Sequence, residues 1–369
     1  MLPYHPALRF KRGEYLAAAK LPRDIQRRVE PYFIVPPPQE RDPEKGETLT
    51  PDEIAYHTGE RIGKHWPIHR AYLDAQYVLP AIQESGMKRM FQIARARNDK
   101  LVPVVTARQL HLPIWRTLLR STRPRLAIHL PFGELDGDIL TAGLRAVGCK
   151  ADDCDIFIDF TGADLTPEIA ADVVSGALDR LGEIAPWRRV VFQGSAFPAK
   201  NPTEEGKASA LPRNEWFTFL RAMEDCGLPP ERLGYSDFGP DCGEINFPRK
   251  DGGARPIPHT RYTSSRSTYV VRGASTGAFA EVMTDVFNRL IQSEHFAGQG
   301  YSYADRAMWE AAQGIGSCGN PSIWREWNMA HHMTRVIRDL GALAGVEFEI
   351  GADTTVSKQA PLFERDQSA

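Results

Sequence analysis

Short apolar runs rich in β-branched residues recur along the chain and alternate with segments of helical periodicity. Runs such as VPVVT and DIFIDF are almost continuously apolar, which is typical of parallel strands that are covered on both faces. The pattern predicts eight strands, at Ala7–Phe10, Val29–Val35, Leu101–Thr106, Leu126–Leu130, Asp155–Phe160, Arg189–Gln193, Leu233–Asp237 and Thr268–Arg272.

The segments between and after these runs favour helices. Val282, Val286 and Leu290 belong to one apolar stripe with helical spacing, which indicates core packing. Further helices are predicted at Tyr72–Ala96, Pro167–Leu181, Asn214–Cys226, Tyr303–Gln313 and Ser322–Leu343. Eight strand–helix alternations predict an α/β fold, a (β/α)₈ TIM-like barrel with additional C-terminal helices. The rival is an open doubly wound sheet, but no GxGxxG follows the first strand.

Two connections are too long for a minimal barrel. Residues 36–70 and 238–267 are rich in Pro and Gly, and both follow predicted strands, so we expect long βα loops at the active-site face. The domain prediction is a single barrel domain over residues 1–350, followed by a polar C-terminal tail at 351–369. The helices within 295–345 are expected to pack across the barrel or to form an oligomer contact.

Charge and cysteine content narrow the class of protein. Lys and Arg number 45 against 47 Asp and Glu, which argues against a generally basic surface for nucleic acids. The apolar runs are shorter than the roughly 18–20 residues that cross a bilayer, and the N-terminal residues do not resemble a signal peptide. Five cysteines without a CxxC pair favour neither a disulfide framework nor a zinc site. We therefore expect a cytoplasmic protein that does not contact membranes.

Polar residues near the predicted strand ends are the candidate catalytic groups, because active sites of such barrels lie at the C-terminal face. The alternative is that they form salt bridges that only fill the barrel. The candidates are Lys11, Glu14, His129, Asp159 and Asp237.

The candidate ligand-binding groups centre on the turn after the last predicted strand. Arg272, Gly273, Ser275 and Thr276 join that strand to a helix, where backbone N–H groups and the helix dipole can hold a phosphate. Gln193 and Ser195, at the end of another strand, are expected to help bind the ligand. The alternative is an ordinary turn and helix cap.

The carboxylates leave the question of a metal open. Asp159, Asp237 and Glu14 could hold Mg²⁺ or Mn²⁺ or divide acid and base roles, although hydrogen bonds to Lys11 and Arg272 are the simpler interpretation. No HxH or HExxH motif is present, so no metal ligands are assigned. His331 and His332 point about 100° apart on a helix and cannot chelate one ion. We expect one to face the barrel mouth and the other to face solvent.

Two terminal motifs carry a family resemblance. YHPALRFKRGEYLAAAKL with RRVEPYF, and the later FAGQGYSYADRAMWEAAQG with GNPSIWREWNMAHHMTRVIRDL, resemble the beta family, the T4 beta protein-like proteins of phages and bacteria. The similarity covers nearly the whole chain and includes Lys11, Gly13 and Glu14 as a Lys-x-Gly-Glu pattern. The loop Gly-Ser-Ala-Phe-Pro carries an added Ala196 relative to the family pattern. The resemblance implies a role in phage biology or antiviral defence, with a partner encoded nearby.

Three functional hypotheses follow. The first is an enzyme, a hydrolase or lyase, that acts on a small phosphate-bearing molecule such as a nucleotide or phosphodiester. The second is a non-catalytic binding or partner-interaction module of a phage-conflict system. The third, nucleic-acid binding, depends only on the basic residues within 238–267, and a solvated loop is the simpler account of them.

Overall fold

A computed structural model of the protein describes residues 1–38, 49–247 and 257–348. The described residues form eleven strands and eleven helices. The strands are β1 Ala7–Arg9, β2 Tyr32–Ile34, β3 Ala71–Asp74, β4 Leu101–Thr106, β5 Leu126–Pro131, β6 Cys154–Asp159, β7 Arg189–Gly194, β8 Ala208–Pro212, β9 Leu233–Asp237, β10 His259–Thr263 and β11 Ser267–Arg272. The helices are α1 Arg12–Ala19, α2 Arg23–Gln26, α3 Pro51–His65, α4 Leu79–Arg97, α5 Ile114–Leu118, α6 Gly137–Val147, α7 Pro167–Ile184, α8 Asn214–Asp225, α9 Phe279–Ile291, α10 Tyr303–Ala312 and α11 Pro321–Leu343.

Eight parallel strands form a nearly closed barrel. Strands β1 to β7 pair in chain order, and β9 follows β7. The residues before β1 join the ends of this sheet, because the His5 N–H donates to the Tyr235 carbonyl at 2.8 Å and the Tyr235 N–H to Pro3 at 3.1 Å. The interleaved helices cover the outside of the strands. The predicted (β/α)₈ TIM-like architecture with additional C-terminal helices is therefore confirmed.

One predicted barrel strand is wrong and another was missed. Thr268–Arg272 is a strand, but it belongs to β11, which pairs antiparallel with β10 and β8 in a separate three-stranded sheet. The missed barrel strand is β3, which pairs with β2 and β4 and lies at the start of the segment predicted as helix Tyr72–Ala96. Helix α4 begins only at Leu79. The predicted number of barrel strands was right because the two errors cancel.

The segments predicted as long loops contain regular structure. Residues 36–70 include α3, whose first turn is closed by a capping box: Thr50 accepts from the Glu53 N–H, and the Glu53 carboxylate accepts from the Thr50 N–H at 2.8 Å. Residues 238–267 include β10. Residues 39–48 and 248–256 within these segments, and the predicted tail at 351–369, lie outside the described residues.

Both predicted C-terminal helices are present, and α11 takes the position of the eighth barrel helix. It packs against α1, and the Lys20 ammonium donates to the Glu326 carboxylate at 2.8 Å. Most of α11 is buried between the barrel and the three-stranded sheet. An additional oligomer contact through 295–345 stays a prediction. Within the described parts of the chain, no helix is long and apolar enough to cross a membrane.

The opposite, N-terminal end of the barrel is closed by hydrogen-bonded charges. Asp155, which is fully buried, accepts from the Tyr72 hydroxyl at 2.6 Å and from the Arg188 Nε at 2.7 Å. Arg70 and Arg189 pair with Glu30. These partners offset the cost of burying the charges, and they leave the C-terminal mouth as the face for a site.

Candidate functional site

Polar side chains line the inside of the barrel at the C-terminal ends of four strands. His129 of β5 is aligned with Phe157, and Asp159 of β6 with Gln193 of β7. Because side chains alternate along a strand, Asp159 and Gln193 share the face of Phe157 and Val191, which pack inside the barrel. Asp74 of β3 accepts from Tyr32, another residue of this inner core. The structure therefore brings together the predicted residues His129, Asp159 and Gln193.

His129 and Asp159 form the central pair. The His129 Nε2 lies 3.0 Å from an Asp159 carboxylate oxygen, and the other oxygen accepts from the Thr161 N–H at 2.9 Å and the Thr161 hydroxyl at 2.7 Å. Burial lowers the pKa of His129, but the hydrogen bond and charge of Asp159, with the charge of Asp74, raise it above its ordinary value overall. Within the described residues, His129 Nδ1 has no partner. An imidazole oriented by a carboxylate at one nitrogen can exchange protons at the other.

Asp74 is a second buried carboxyl group in the mouth. It accepts from the Tyr32 hydroxyl at 3.0 Å and from the Gln76 side chain at 2.9 Å, and its burial raises its pKa. Burial and the charges of Asp74 and Asp159 raise the pKa of Tyr77 to about 12. In the described chain, the Gln193 side-chain oxygen has no hydrogen-bond partner. Asp74 and Tyr77 were not predicted as site residues, because the segment Tyr72–Ala96 has the periodicity of a helix. The signal that indicates a strand here is the apolar run AYLD, which ends in an acidic residue.

A cluster of ion pairs holds the rim of the mouth. Asp241 accepts from three arginines, at 2.9 Å from Arg9, 2.6 Å from Arg261 and 2.8 Å from Arg325. Burial raises the pKa of Asp241, but these guanidinium groups together hold it well below its usual range. The predicted catalytic residue Glu14 is fully buried in the same cluster. It accepts from the Arg9 N–H at 2.6 Å and from Arg325 at 3.0 Å.

The segment that follows β9 folds over the mouth. Phe238 belongs to the core inside the barrel, and Ile245 and Phe247 pack against that core. The Phe247 ring contacts the Tyr77 ring at 5.3 Å between centroids, and the Lys11 ammonium lies 4.9 Å from the Phe247 centroid. Lys11 is therefore at the rim, on the β1 side.

Asp237 lies on the other face of the barrel wall from Asp159. In the register of β7 and β9, Ser236 aligns with the inward-facing Gln193, so Asp237 points outward. It accepts from the Tyr4 hydroxyl at 2.8 Å and lies 3.0 Å from His332 Nε2. Asp159 and Asp237 therefore lie on opposite faces of the barrel wall, so the prediction that they could hold one ion together or divide acid and base roles was wrong.

The two adjacent histidines of α11 are both buried. His331 lies 3.0 Å from the Asp305 carboxylate and 2.8 Å from the Thr263 carbonyl. His332 lies 2.8 Å from the Thr263 hydroxyl, besides Asp237. The expectation that one would face the mouth and the other solvent was wrong, because α11 is covered by sheets on both sides.

The turn at residues 272–277 follows β11 of the small antiparallel sheet and not a strand of the barrel. Arg272 donates to the Thr203 carbonyl at 2.8 Å, and the Ser275 N–H and hydroxyl both donate to Glu205 at 2.6 Å. Gly273 lies close to α9: a Cβ there would be 2.5 Å from a Val282 methyl. Ser275 of this turn thus already binds a carboxylate, that of Glu205, and Thr276 beside it is exposed. Ser195, by contrast, is at the rim, where its hydroxyl donates to the Asp241 carbonyl at 2.8 Å.

In the described ranges, no group of three or more His, Cys, Asp or Glu side chains is arranged to hold a metal ion. Comparison with known proteins identifies the family of the chain. A family model described as Beta protein matches residues 4–338. Neither a curated protein nor a solved structure matches the chain.

Proposed function

Because the chain belongs to the Beta protein family and has a TIM-like barrel, we propose that it binds and processes a small phosphate-bearing molecule at the barrel mouth. The substrate class is a nucleotide or phosphodiester, and the reaction is hydrolysis or elimination. The observation that carries the proposal is the His129–Asp159 pair at the C-terminal end of the strands.

His129 is the proposed general base and acid. Asp159 accepts the Nε2 proton, which fixes the tautomer and leaves the lone pair on Nδ1. The unpartnered Nδ1 then takes a proton from a substrate hydroxyl or water and returns it to the leaving group. The unpartnered oxygen of Gln193 supplies an acceptor that can orient the same hydroxyl or water.

We propose that the phosphate binds on the β1 side of the mouth, because of the charges around the mouth. Asp74 and Asp159 make the β3 and β6 side acidic, and they would repel a phosphate. Lys11 lies at the C-terminal end of β1, next to Arg9, which pairs with Asp241. A ligand that spans the mouth would place its phosphate near Lys11 and its reacting group near His129.

The second candidate is a non-catalytic binding or partner-interaction module. The position of the segment after β9 favours it, because Phe238, Ile245 and Phe247 cover the mouth. A mouth filled in this way can bind a ligand that displaces the aromatic rings without reacting with it. The family resemblance alone suggests that either function serves phage biology or antiviral defence.

A turnover assay with His129→Gln tests the enzymatic proposal. Nucleotides, cyclic and linear phosphodiesters and sugar phosphates are incubated with the protein, with and without Mg²⁺ or Mn²⁺. Glutamine can keep a hydrogen bond to Asp159 but cannot exchange protons, so turnover should fall by about 10²–10⁴-fold. The melting temperature should change by a few degrees at most.

The matched control is His111→Gln, which should leave turnover unchanged. His111 is an exposed histidine between β4 and α5 and takes no part in the contacts of the His129–Asp159 pair. Equal turnover of the His129 variant and wild type would exclude His129 as the acid–base group. Binding without turnover of any compound by the wild-type protein would favour the second candidate.

A further inference from the structure

A pocket of about 250 Å³ lies between β10, the N-terminal part of α11 and the segment that follows β9. One part of its lining is apolar, and the other part is charged or polar. The apolar residues are Pro240, Ile257, Pro321, Trp324 and Met329, and the polar residues are Asp241, His259, Arg261, Arg325 and Asn328. Neither His129 nor Asp159 is among these described lining residues, so this β10–α11 pocket is a different site from the candidate catalytic pair.

The charged side of the pocket carries more positive than negative charge. Asp241 pairs with Arg9, Arg261 and Arg325, and Arg325 also pairs with Glu14. Two carboxylates therefore share three guanidinium groups, which leaves this cluster with one positive charge in excess. A charge that is partly removed from water is stabilised by a counter-ion, so the pocket beside the cluster favours an anion.

The two arginines that line the pocket do not use all their donors on the carboxylates. Arg325 donates to both Glu14 and Asp241 through the same nitrogen, Nη1, and its side chain is 39% exposed. Arg261 donates to Asp241 through Nη1, and its buried Nε has no hydrogen-bond partner within the described residues. Because a guanidinium group has five N–H donors, both arginines can bind a further acceptor and keep Asp241.

The excess positive charge also acts on His259 in the lining. Its Nδ1 donates to the Ile257 carbonyl at 2.9 Å, since a carbonyl oxygen can only accept. Burial and the positive charges of Arg261 and Arg325 lower the pKa of His259, although the hydrogen bond to Ile257 and the charge of Asp241 act in the opposite direction. His259 is therefore neutral at pH 7, and the arginines are the groups that attract an anion.

We propose that the β10–α11 pocket binds a small ionised carboxylic acid with a compact apolar body. The carboxylate accepts from Arg261 and Arg325, and the body lies against the apolar part of the lining. A carboxylate supplies the single negative charge that the cluster lacks, whereas a phosphate monoester carries close to two. The volume is below the range of about 300–1,000 Å³ that is usual for drug-sized ligands, which favours a smaller molecule. This site does not depend on the function proposed for the barrel mouth.

Calorimetric titration with benzoate, benzamide and inorganic phosphate at constant ionic strength tests the ligand class. Benzamide has the shape of benzoate without its charge, and phosphate is an anion without an apolar body. Wild-type protein should bind benzoate at least about tenfold more tightly than either of the other two, which corresponds to about 1.4 kcal/mol. Equal affinity for benzoate and benzamide, or for benzoate and phosphate, would contradict the proposal, as would a failure to bind benzoate.

Two substitutions test whether benzoate binds in this pocket. Arg325→Gln removes one guanidinium group and should weaken binding at least about tenfold. Because it also removes two ion pairs, its melting temperature is measured alongside. Ile257→Trp keeps the arginines and fills the pocket, so it should abolish benzoate binding. Ile315→Trp, the same change at an exposed isoleucine outside the pocket lining, should bind benzoate like wild type. Undiminished binding by the Ile257 variant would overturn the assignment of the pocket.

Discussion

Asp237 shows how the environment of one residue decides between a catalytic and a structural role. Its side chain is 1% exposed and lies between the barrel and α11, where it bonds Tyr4, His332 and the Gly239 N–H. Burial raises the pKa of Asp237, but the charge and hydrogen bond of His332, with the Tyr4 hydroxyl, hold it below its usual value overall. This carboxylate is positioned to join elements rather than to meet a ligand in the mouth.

We expect Asp237→Asn to lower the free energy of unfolding by about 2–4 kcal/mol, because the amide cannot accept from both partners as the carboxylate does. Urea denaturation at pH 7 measures the effect. Asp225→Asn, in an exposed position at the end of α8, should change stability by about 0.5 kcal/mol or less. An Asp237 variant as stable as wild type but without turnover would return this residue to the catalytic group.

The position of single residues was predicted correctly where both the strand and the direction of its side chains were clear. His129, Asp159 and Gln193 lie at the ends of continuous apolar runs, so their position at the mouth followed from the strand assignment. Asp237 was assigned to the correct strand but the wrong face. In a barrel both faces of a strand are buried, so hydrophobicity does not distinguish the inside of the barrel from the outside.

At the scale of elements, the sequence pattern did not predict strand β3 and did not show that β11 lies outside the barrel. AYLD has only four residues, and the helical periodicity after it extends the apparent helix backward. STYVVR has the composition of a barrel strand, but its partners β8 and β10 are antiparallel. Composition predicts that a run is a strand, whereas its neighbours in the sheet depend on contacts distant along the chain.

The segment after β9 gives a prediction at this scale. Asp241 joins it to β1, β10 and α11 through Arg9, Arg261 and Arg325, and so holds Phe238 and Phe247 over the mouth. We expect Asp241→Asn to lower the free energy of unfolding by about 1–3 kcal/mol, since three arginines lose a shared carboxylate. Amide hydrogen exchange in residues 238–247 should also become faster.

The pH dependence of this cluster follows from the lowered pKa of Asp241 in the folded state. Its stabilisation is present above about pH 3.8, the ordinary pKa of the group, and is lost as the pH falls through the folded pKa. The stability difference between wild type and the Asp241 variant should therefore persist from pH 7 to pH 5. As a control, Asp52→Asn removes an exposed pair with Arg89 and should lower the free energy of unfolding by about 1 kcal/mol or less. Equal exchange rates in wild type and the Asp241 variant would show that the cluster does not hold the segment.

At the scale of the whole molecule, the two terminal motifs that carry the family resemblance are in contact. Gly13 and Glu14 lie in α1, and the later motif forms α10 and α11, of which α11 packs against α1. Glu14 pairs with Arg325, and Gly13 allows the two helices to approach closely. Both motifs are visible in the sequence, but their contact is not, because more than three hundred residues separate Glu14 from Arg325.

The approach of α1 to α11 can be tested with a matched pair of glycines. A Cβ on Gly13 would lie 2.5 Å from the Ser322 carbonyl oxygen, a backbone atom that cannot rotate away. Gly13→Ala should therefore force the helices apart and lower the free energy of unfolding by about 1–3 kcal/mol. Gly176→Ala, in the middle of α7 with no atom within 4 Å of the added Cβ, should instead raise it by up to about 1 kcal/mol. Because both changes add the same methyl group to a helix, opposite signs in urea denaturation would isolate the contact with α11. Equal stabilisation by both substitutions would mean that α11 does not close the barrel against α1.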